Sequence, residues 1–141
     1  MSVTAKRFFF TWIVSSIVMF SLSYVWHGLV LNDFSRLNYP KEIFLILASL
    51  TYVFIGFIVI KFYETKFLEK QLAHKQIFRG VVKGAICGFI FFLIATVVGV
   101  SFNTGSGLKN LALDLAWQLL EQGIGGGIVG FLYLFSEHPA F

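Results

Sequence analysis

Apolar residues in this chain gather into four long runs, roughly 8–31, 43–62, 81–102 and 111–135, parted by short polar breaks. Each run reaches the about 20 residues that a helix needs to cross a ~30 Å hydrocarbon layer. A water-soluble fold of 141 residues cannot bury four such segments, because too little polar surface would remain to cover them. The runs are continuous rather than alternating, which excludes barrel strands with their two-residue period. A spanning segment must satisfy its own backbone groups, so helices are the remaining solution. The pattern predicts an all-α, polytopic membrane protein: one domain, 1–141, of four transmembrane helices in a bundle.

The breaks differ in character. Pro40 turns Tyr39 away from helix and suits the start of the second span, while Asn32 and Asp33 read as helix-ending, water-facing residues. The stretch 63–79 has no Pro or Gly and spaces Phe67, Leu68 and Leu72 among lysines. It reads as an amphipathic helical connection lying at headgroup level, with His74 exposed and without a ligand role. Asn103-Thr104-Gly105-Ser106-Gly107 reads as a flexible turn. Lys6 and Arg7 before the first run resemble a secretory leader, but apolar character continues through Leu31, giving a true first span.

Composition agrees: 57% of residues are hydrophobic and only 13% charged, which leaves little material for a domain outside the bilayer. Charge then supplies orientation. Lys6, Arg7, Lys61, Lys66, Lys70, Lys75, Arg79 and Lys83 fall on one side of the four spans; only Arg36, Lys41 and Lys109 fall on the other. The positive-inside rule places both termini in the cytoplasm. The net charge of +4 is thereby a rim facing anionic membrane lipid, and no nucleic-acid partner is implied.

The fourth run carries the candidate chemistry. Asp114, Gln118, Glu121 and Gly125 fall within one stripe about 60° wide, at about 100° per residue. Gly123, Gly127 and Gly130 fall nearly opposite, offering a smooth face for helix packing or for a partner subunit or second copy. A carboxylate at the centre of a spanning helix costs roughly 2.5–3.5 kcal/mol to insert, so depth matters. With a rise of 1.5 Å per residue, Asp114 lies about 5 Å below the outer boundary and Glu121 about 15 Å below it. On the first span His27 is about 6 Å deep and Ser23 about 12 Å deep, level with Asp114 and Gln118. Ser49, Thr51, Tyr52 and Thr96 add polarity to the same half.

These positions predict an outward-opening polar pocket between the first and fourth spans, with His27, Asp114, Gln118, Glu121, Tyr24 and Ser23 as ligand-binding residues. His27 and Asp114 are expected to share one hydrogen-bonded cluster, since each is costly alone. The competing reading is that these groups merely bond one another and fix helix packing. Metal or haem binding is not expected: sites normally need three or four ligands, and His74 and His138 lie outside the spans. The single Cys87 cannot form an internal disulfide, which excludes thiol oxidoreductases that work through cysteine pairs. No serine has a recognisable base and orienter, so no catalytic residue and no cofactor are assigned.

Small multidrug transporters are similar in length and in having a membrane glutamate, but theirs lies in the first helix, where this chain has none. Small fluoride channels are similar in size, but their phenylalanine- and threonine-rich signatures are absent. Tyr24-Val25-Trp26-His27-Gly28 and the fourth run resemble uncharacterised small four-helix bacterial integral membrane proteins. That resemblance implies residence in a bacterial cytoplasmic membrane and carries over no functional residue. The sequence thus points to a non-enzymatic membrane protein that binds a small molecule or lipid, or serves as an accessory subunit. The alternative is a minimal proton-coupled transporter that uses Glu121 and works as an oligomer.

Overall fold

In a computed structural model, residues 3–72, 75–102 and 107–137 are described; His74, His138 and positions 103–106 lie outside them. The chain is all-helical. It runs through α1 (Val3–Ser23), a π-helical turn (Tyr24–Val30), a 3-10 turn (Asp33–Arg36), α2 (Lys41–Glu64), α3 (Gln76–Phe102) and α4 (Leu108–Glu137). Four helices are each long and apolar enough to cross a membrane, over Ala5–Val30, Lys41–Glu64, Gln76–Val98 and Lys109–Ser136. Half of the α4 span is buried inside the protein, against 22% of each of the others, so α4 is the central helix.

The helices extend further than the apolar runs, and the breaks shrink to match. Pro40 precedes α2 in an extended conformation, and its carbonyl accepts the amides of Ile43 at 3.1 Å and Phe44 at 3.4 Å. The connection after α2 is not one continuous helix. Thr65 is extended (ψ 156°), its hydroxyl donates to the Phe62 carbonyl, and Leu68 takes a left-handed backbone (φ 60°), which breaks the helical path. Turns fill the stretch up to Leu72, and α3 takes over at Gln76.

The loose carbonyls at the end of α2 find a partner inside the protein. Lys83 of α3 is almost fully buried, and its ammonium donates to the carbonyls of Phe62 (3.2 Å), Tyr63 (2.8 Å) and Thr65 (2.7 Å). A cation at a helix C-terminus satisfies both the unpaired carbonyls and the dipole. Around this cap, each of the four helices contributes to one cluster. The Arg7 guanidinium lies 4.3 Å over the Tyr133 ring, the Tyr133 and Tyr63 rings meet edge-on at 5.1 Å, and the Arg79 guanidinium lies 4.7 Å over Tyr63. The Tyr133 hydroxyl donates to Glu64 at 2.6 Å, and Lys61 donates to the other Glu64 oxygen at 3.1 Å. This is the Arg7 end of the bundle.

Between α3 and α4 the backbones touch. A Cβ at Gly80, Gly84 or Gly88 would collide with the carbonyl oxygens of Gly126, Gln122 and Gln118 respectively, and one at Gly130 with that of Gln76. Rising numbers on α3 meet falling numbers on α4, so the pair is antiparallel. Gly123, Gly127 and Gly130, the smooth face of the sequence pattern, lie against α3 as well, with Val81 3.6 Å from a Cβ placed at Gly123. On its other side α4 meets α1: Ser15 donates to the Gly125 carbonyl at 3.1 Å, and Met19 fills the space that a Gly125 side chain would need. Helix α1 also leans on α2 through Trp12, whose indole donates to the Val53 carbonyl at 2.7 Å, and through Ser16 against Gly56.

The seam makes a sharp prediction. Gly84→Ala should destabilise the protein by about 1–3 kcal/mol through overpacking against the Gln122 backbone. Gly123→Ala has ordinary van der Waals room and should be neutral or raise stability by up to about 1 kcal/mol from helix propensity. Unfolding midpoints in detergent measure both; equal effects would mean that backbone contact does not hold α3 to α4.

Candidate functional site

The opposite end is organised by the π-helical turn. Widening the last turn of α1 shifts the backbone bonding to i→i−5, with the Leu31 amide donating to the Trp26 carbonyl at 2.8 Å. Asn32 then adopts the left-handed region (φ 53°), a conformation asparagine tolerates better than most residues, and its carbonyl accepts the Ser35 amide and hydroxyl. The chain folds back through the 3-10 turn. The Phe34 ring comes down on Gly28, where any side chain would strike it.

This reversal aims Asp33 at His27, and their Oδ2 and Nδ1 atoms stand 2.8 Å apart. Arg36 flanks the same carboxylate at 3.9 Å. The expected partner for His27 was Asp114, and Asp33 was read as facing water. The hydrogen bond goes instead to the residue six positions on, because a local closure needs far less chain ordering than a contact between distant helices. Both members of the pair keep about a third of their side-chain surface exposed.

Two clefts meet at this pair. One, of about 480 Å³, lies between α1 and α2. Its walls are mainly apolar and aromatic, from Phe20, Tyr24, Phe34, Phe44 and Leu47, with Ser23, Thr51 and Tyr52 deeper and His27 and Asp33 at its polar end. Lys41 lies over the rings of Phe34 (4.8 Å) and Tyr24 (5.7 Å) beside it. The other cleft, of about 500 Å³, lies between the α1–α2 connection and α4, and is lined by His27, Asp33, Arg36, Asn110 and Asp114. Asp114 therefore faces the histidine–aspartate pair across this second cleft.

Glu121 lies deeper, with no exposed surface. Neither carboxylate oxygen has a hydrogen-bond partner. Next to it, Gln122 is fully buried with its amide unpartnered. One turn along α4, Trp117 stacks on Trp26 with centroids 4.4 Å apart and planes 6° from parallel, and both indole N–H groups are buried without acceptors. Buried polar groups are normally paired, and among the described residues these four are exceptions, as are the Nε atoms of Arg7 and Arg79 and the Thr11 hydroxyl toward the other end.

Of the six sequence-derived site residues, Ser23, Tyr24 and His27 line the first cleft, and Asp114 lines the second. Glu121 lines neither cleft. Gln118 lines neither cleft, and its carbonyl lies against Gly88 in the α3 seam. Asp33 was missed because its partner depends on a chain reversal that no spacing rule announces. Lys83 was missed although its signal was plain: a lysine inside an apolar run, next to Gly80-x-x-x-Gly84-x-x-x-Gly88. Among the described residues, no three His, Cys, Asp or Glu side chains gather closely enough to hold a metal ion. Comparison with protein-family models, curated proteins and solved structures finds no match to this chain.

Because Glu121 is buried without a partner, replacing it with a similarly shaped apolar residue removes a desolvated polar group and leaves no orphan behind. Glu121→Met should raise stability by about 1–3 kcal/mol in a detergent unfolding titration. A loss of that size would mean the carboxylate holds the helices together.

Proposed function

We propose that this chain is a non-enzymatic integral membrane protein that holds a lipid-like or other amphipathic small molecule in the cleft between α1 and α2. The observation that carries this reading is the shape of that cleft: an apolar, aromatic trough ending at the His27–Asp33 pair. A volume of about 480 Å³ with few convergent polar groups is typical of small-molecule sites. Its α2 wall includes Leu47, which is more than half exposed on the face a membrane would cover, so a ligand enters sideways from the bilayer. The tail lies along Phe20, Phe44 and Leu47, and the polar head reaches His27, Asp33 and Lys41.

In this reading both termini are cytoplasmic, in a bacterial inner membrane, with the His27 end outside; the eight-to-three distribution of basic residues supports that orientation. An accessory subunit would use the same fold with a partner protein against its outer faces. Proton-coupled transport is the second reading, favoured by Glu121, whose buried and unpartnered carboxylate is the usual mark of an intramembrane functional group. An oligomer serving it would assemble through the exposed faces of α2 or α3, since Gly123, Gly127 and Gly130 already pack inside the chain.

Topology is checked with single cysteines introduced at Ser2 or Ser106 in a Cys87→Ser background. An impermeant maleimide on intact cells should label position 106 and spare position 2. The reverse pattern would turn the cleft toward the cytoplasm.

Binding is checked with pyrenedodecanol, whose alkyl chain and hydroxyl fit the trough and its polar end. In phosphatidylcholine nanodiscs, energy transfer from tryptophan to pyrene should saturate. His27→Leu should weaken the half-saturation point by roughly tenfold, the loss of about one charge-assisted hydrogen bond, while Ile94→Leu on the exposed face of α3 should change nothing. Transfer that never saturates, or that ignores His27→Leu, would refute a site in this cleft.

A further inference from the structure

The second cleft, of about 500 Å³ between the α1–α2 connection and α4, takes no part in the function proposed for the first. Its size falls in the range of small-molecule sites, and its lining is polar where that of the first cleft is apolar and aromatic. Asn110 and Asp114 stand four residues apart, so both lie on one face of α4. Across the cleft are His27, Asp33 and Arg36, and Leu31 and Leu113 form the apolar part of the wall. We propose that this cleft is a separate binding site for a small organic ammonium ion, held by the Asp114 carboxylate with Asn110 beside it. The site does not depend on what occupies the first cleft.

The charge of the ligand follows from which groups are already taken. Both oxygens of Asp33 are engaged, Oδ2 by His27 at 2.8 Å and Oδ1 by Arg36 at 3.9 Å. Arg36 therefore has its counter-ion within the cleft wall. Asp114 has none: it is exposed, it lines the cleft, and its carboxylate closes no ion pair among the described residues. Lys109 stands five residues before Asp114, about 140° around α4. Lys41 lies over the rings of Phe34 and Tyr24 beside the first cleft. An anion would meet a free carboxylate here, with the cations around it committed or turned away. A cation meets an acceptor and has nothing to displace.

The rest of the lining selects an ammonium group over a metal ion. A hard divalent cation takes about six to eight oxygen ligands, and among the described residues no three His, Cys, Asp or Glu side chains gather closely enough to hold one. An ammonium group carries three N–H donors and no acceptor. It donates to the Asp114 carboxylate and to the Asn110 side-chain carbonyl one turn away, while its carbon skeleton covers Leu31 and Leu113. The same contacts serve a free amine from water and the amine head of a membrane lipid.

The test uses purified full-length protein in uncharged detergent micelles and fluorine NMR of para-trifluoromethyl-benzylamine, a cation at neutral pH. Its signal should broaden saturably with the wild type. The corresponding benzyl alcohol, similar in shape and uncharged, should show no saturable binding over the same range. Asp114→Asn keeps the shape of the side chain and should weaken the half-saturation point for the amine about tenfold, the loss of one charge-assisted hydrogen bond. Glu42 is an exposed carboxylate in the first turn of α2 and lines neither cleft, so Glu42→Gln should change nothing. No saturation, an alcohol that matches the amine, or an equal loss in Glu42→Gln overturns the site. Tighter binding of para-trifluoromethyl-benzoate than of the amine also overturns it, by assigning the cleft to anions. Titration with phosphatidylethanolamine separates the two sources: displacement of the amine identifies a lipid head group, and an undiminished amine signal identifies a soluble amine. The half-saturation point of pyrenedodecanol should be the same in Asp114→Asn as in wild type; a shared loss would make the two clefts one site and overturn their separation.

Discussion

The backbone contact between α3 and α4 is the constraint on which the other features depend. In lipid, apolar side chains gain little by leaving one apolar neighbour for another, so helices associate where small residues let main chains approach. Gly80, Gly84 and Gly88 give that approach on α3, and the α4 carbonyls from Gln118 to Gly126 receive it. Fixing this seam fixes the rotation of α4. Gln122 faces the seam, and its predecessor Glu121 is turned about 100° from it, toward α1 and α2. The burial of the Glu121 carboxylate is thus a geometric consequence of where the glycines stand.

The two ends of the bundle differ in how their charged groups are held. At the Arg7 end, Lys83 closes the carbonyls of α2, Glu64 receives both Tyr133 and Lys61, and each arginine guanidinium lies on a tyrosine ring. Residues from all four helices meet there, so any relative movement must break charge-assisted bonds or cation–aromatic contacts. Toward the His27 end the core holds Glu121, Gln122 and two indole N–H groups without partners, while at the Arg7 end the unpartnered buried atoms include the Nε of Arg7 and Arg79 and the Thr11 hydroxyl.

The spans were legible because their signal is length and continuity, both properties of sequence alone. Of the polar stripe, the structure brings Asp114 to the same cleft as His27, whereas Gln118 and Glu121 line neither cleft. What depth matching could not give was the bonding partner. His27 turns to Asp33 because the chain departs from regular α geometry at Tyr24–Val30, and a periodicity argument assumes that geometry throughout. The same limit hid the role of Asp33, which in an undistorted helix end would face solvent. The glycine seam was half legible. The α4 glycines were weighed while Gly84 and Gly88 were read simply as part of an apolar run and Gly80 as the end of the connection before it, although close approach needs small residues on both helices.

The π turn is therefore more than a flourish at the end of α1. Wide turns carry poorer bonding than α-helix and tend to persist where they re-aim a side chain for use. Here the consequence is specific. The turn lets Asn32 reverse the chain, the reversal sets Phe34 on Gly28 as one wall of the α1–α2 cleft, and it delivers Asp33 to His27 on the boundary with the α4 cleft. A regular continuation of α1 would carry His27 on without this local partner, and the ring would be left facing Asp114 across open space. By holding the histidine on its own helix end, the turn keeps the wall between the two clefts in one piece. It also leaves Asp114 on the far side of the second cleft, unattached to α1, so that the mouth is not stapled shut by a bond between α1 and α4. The departure from regular helix is what gives this end of the bundle an opening.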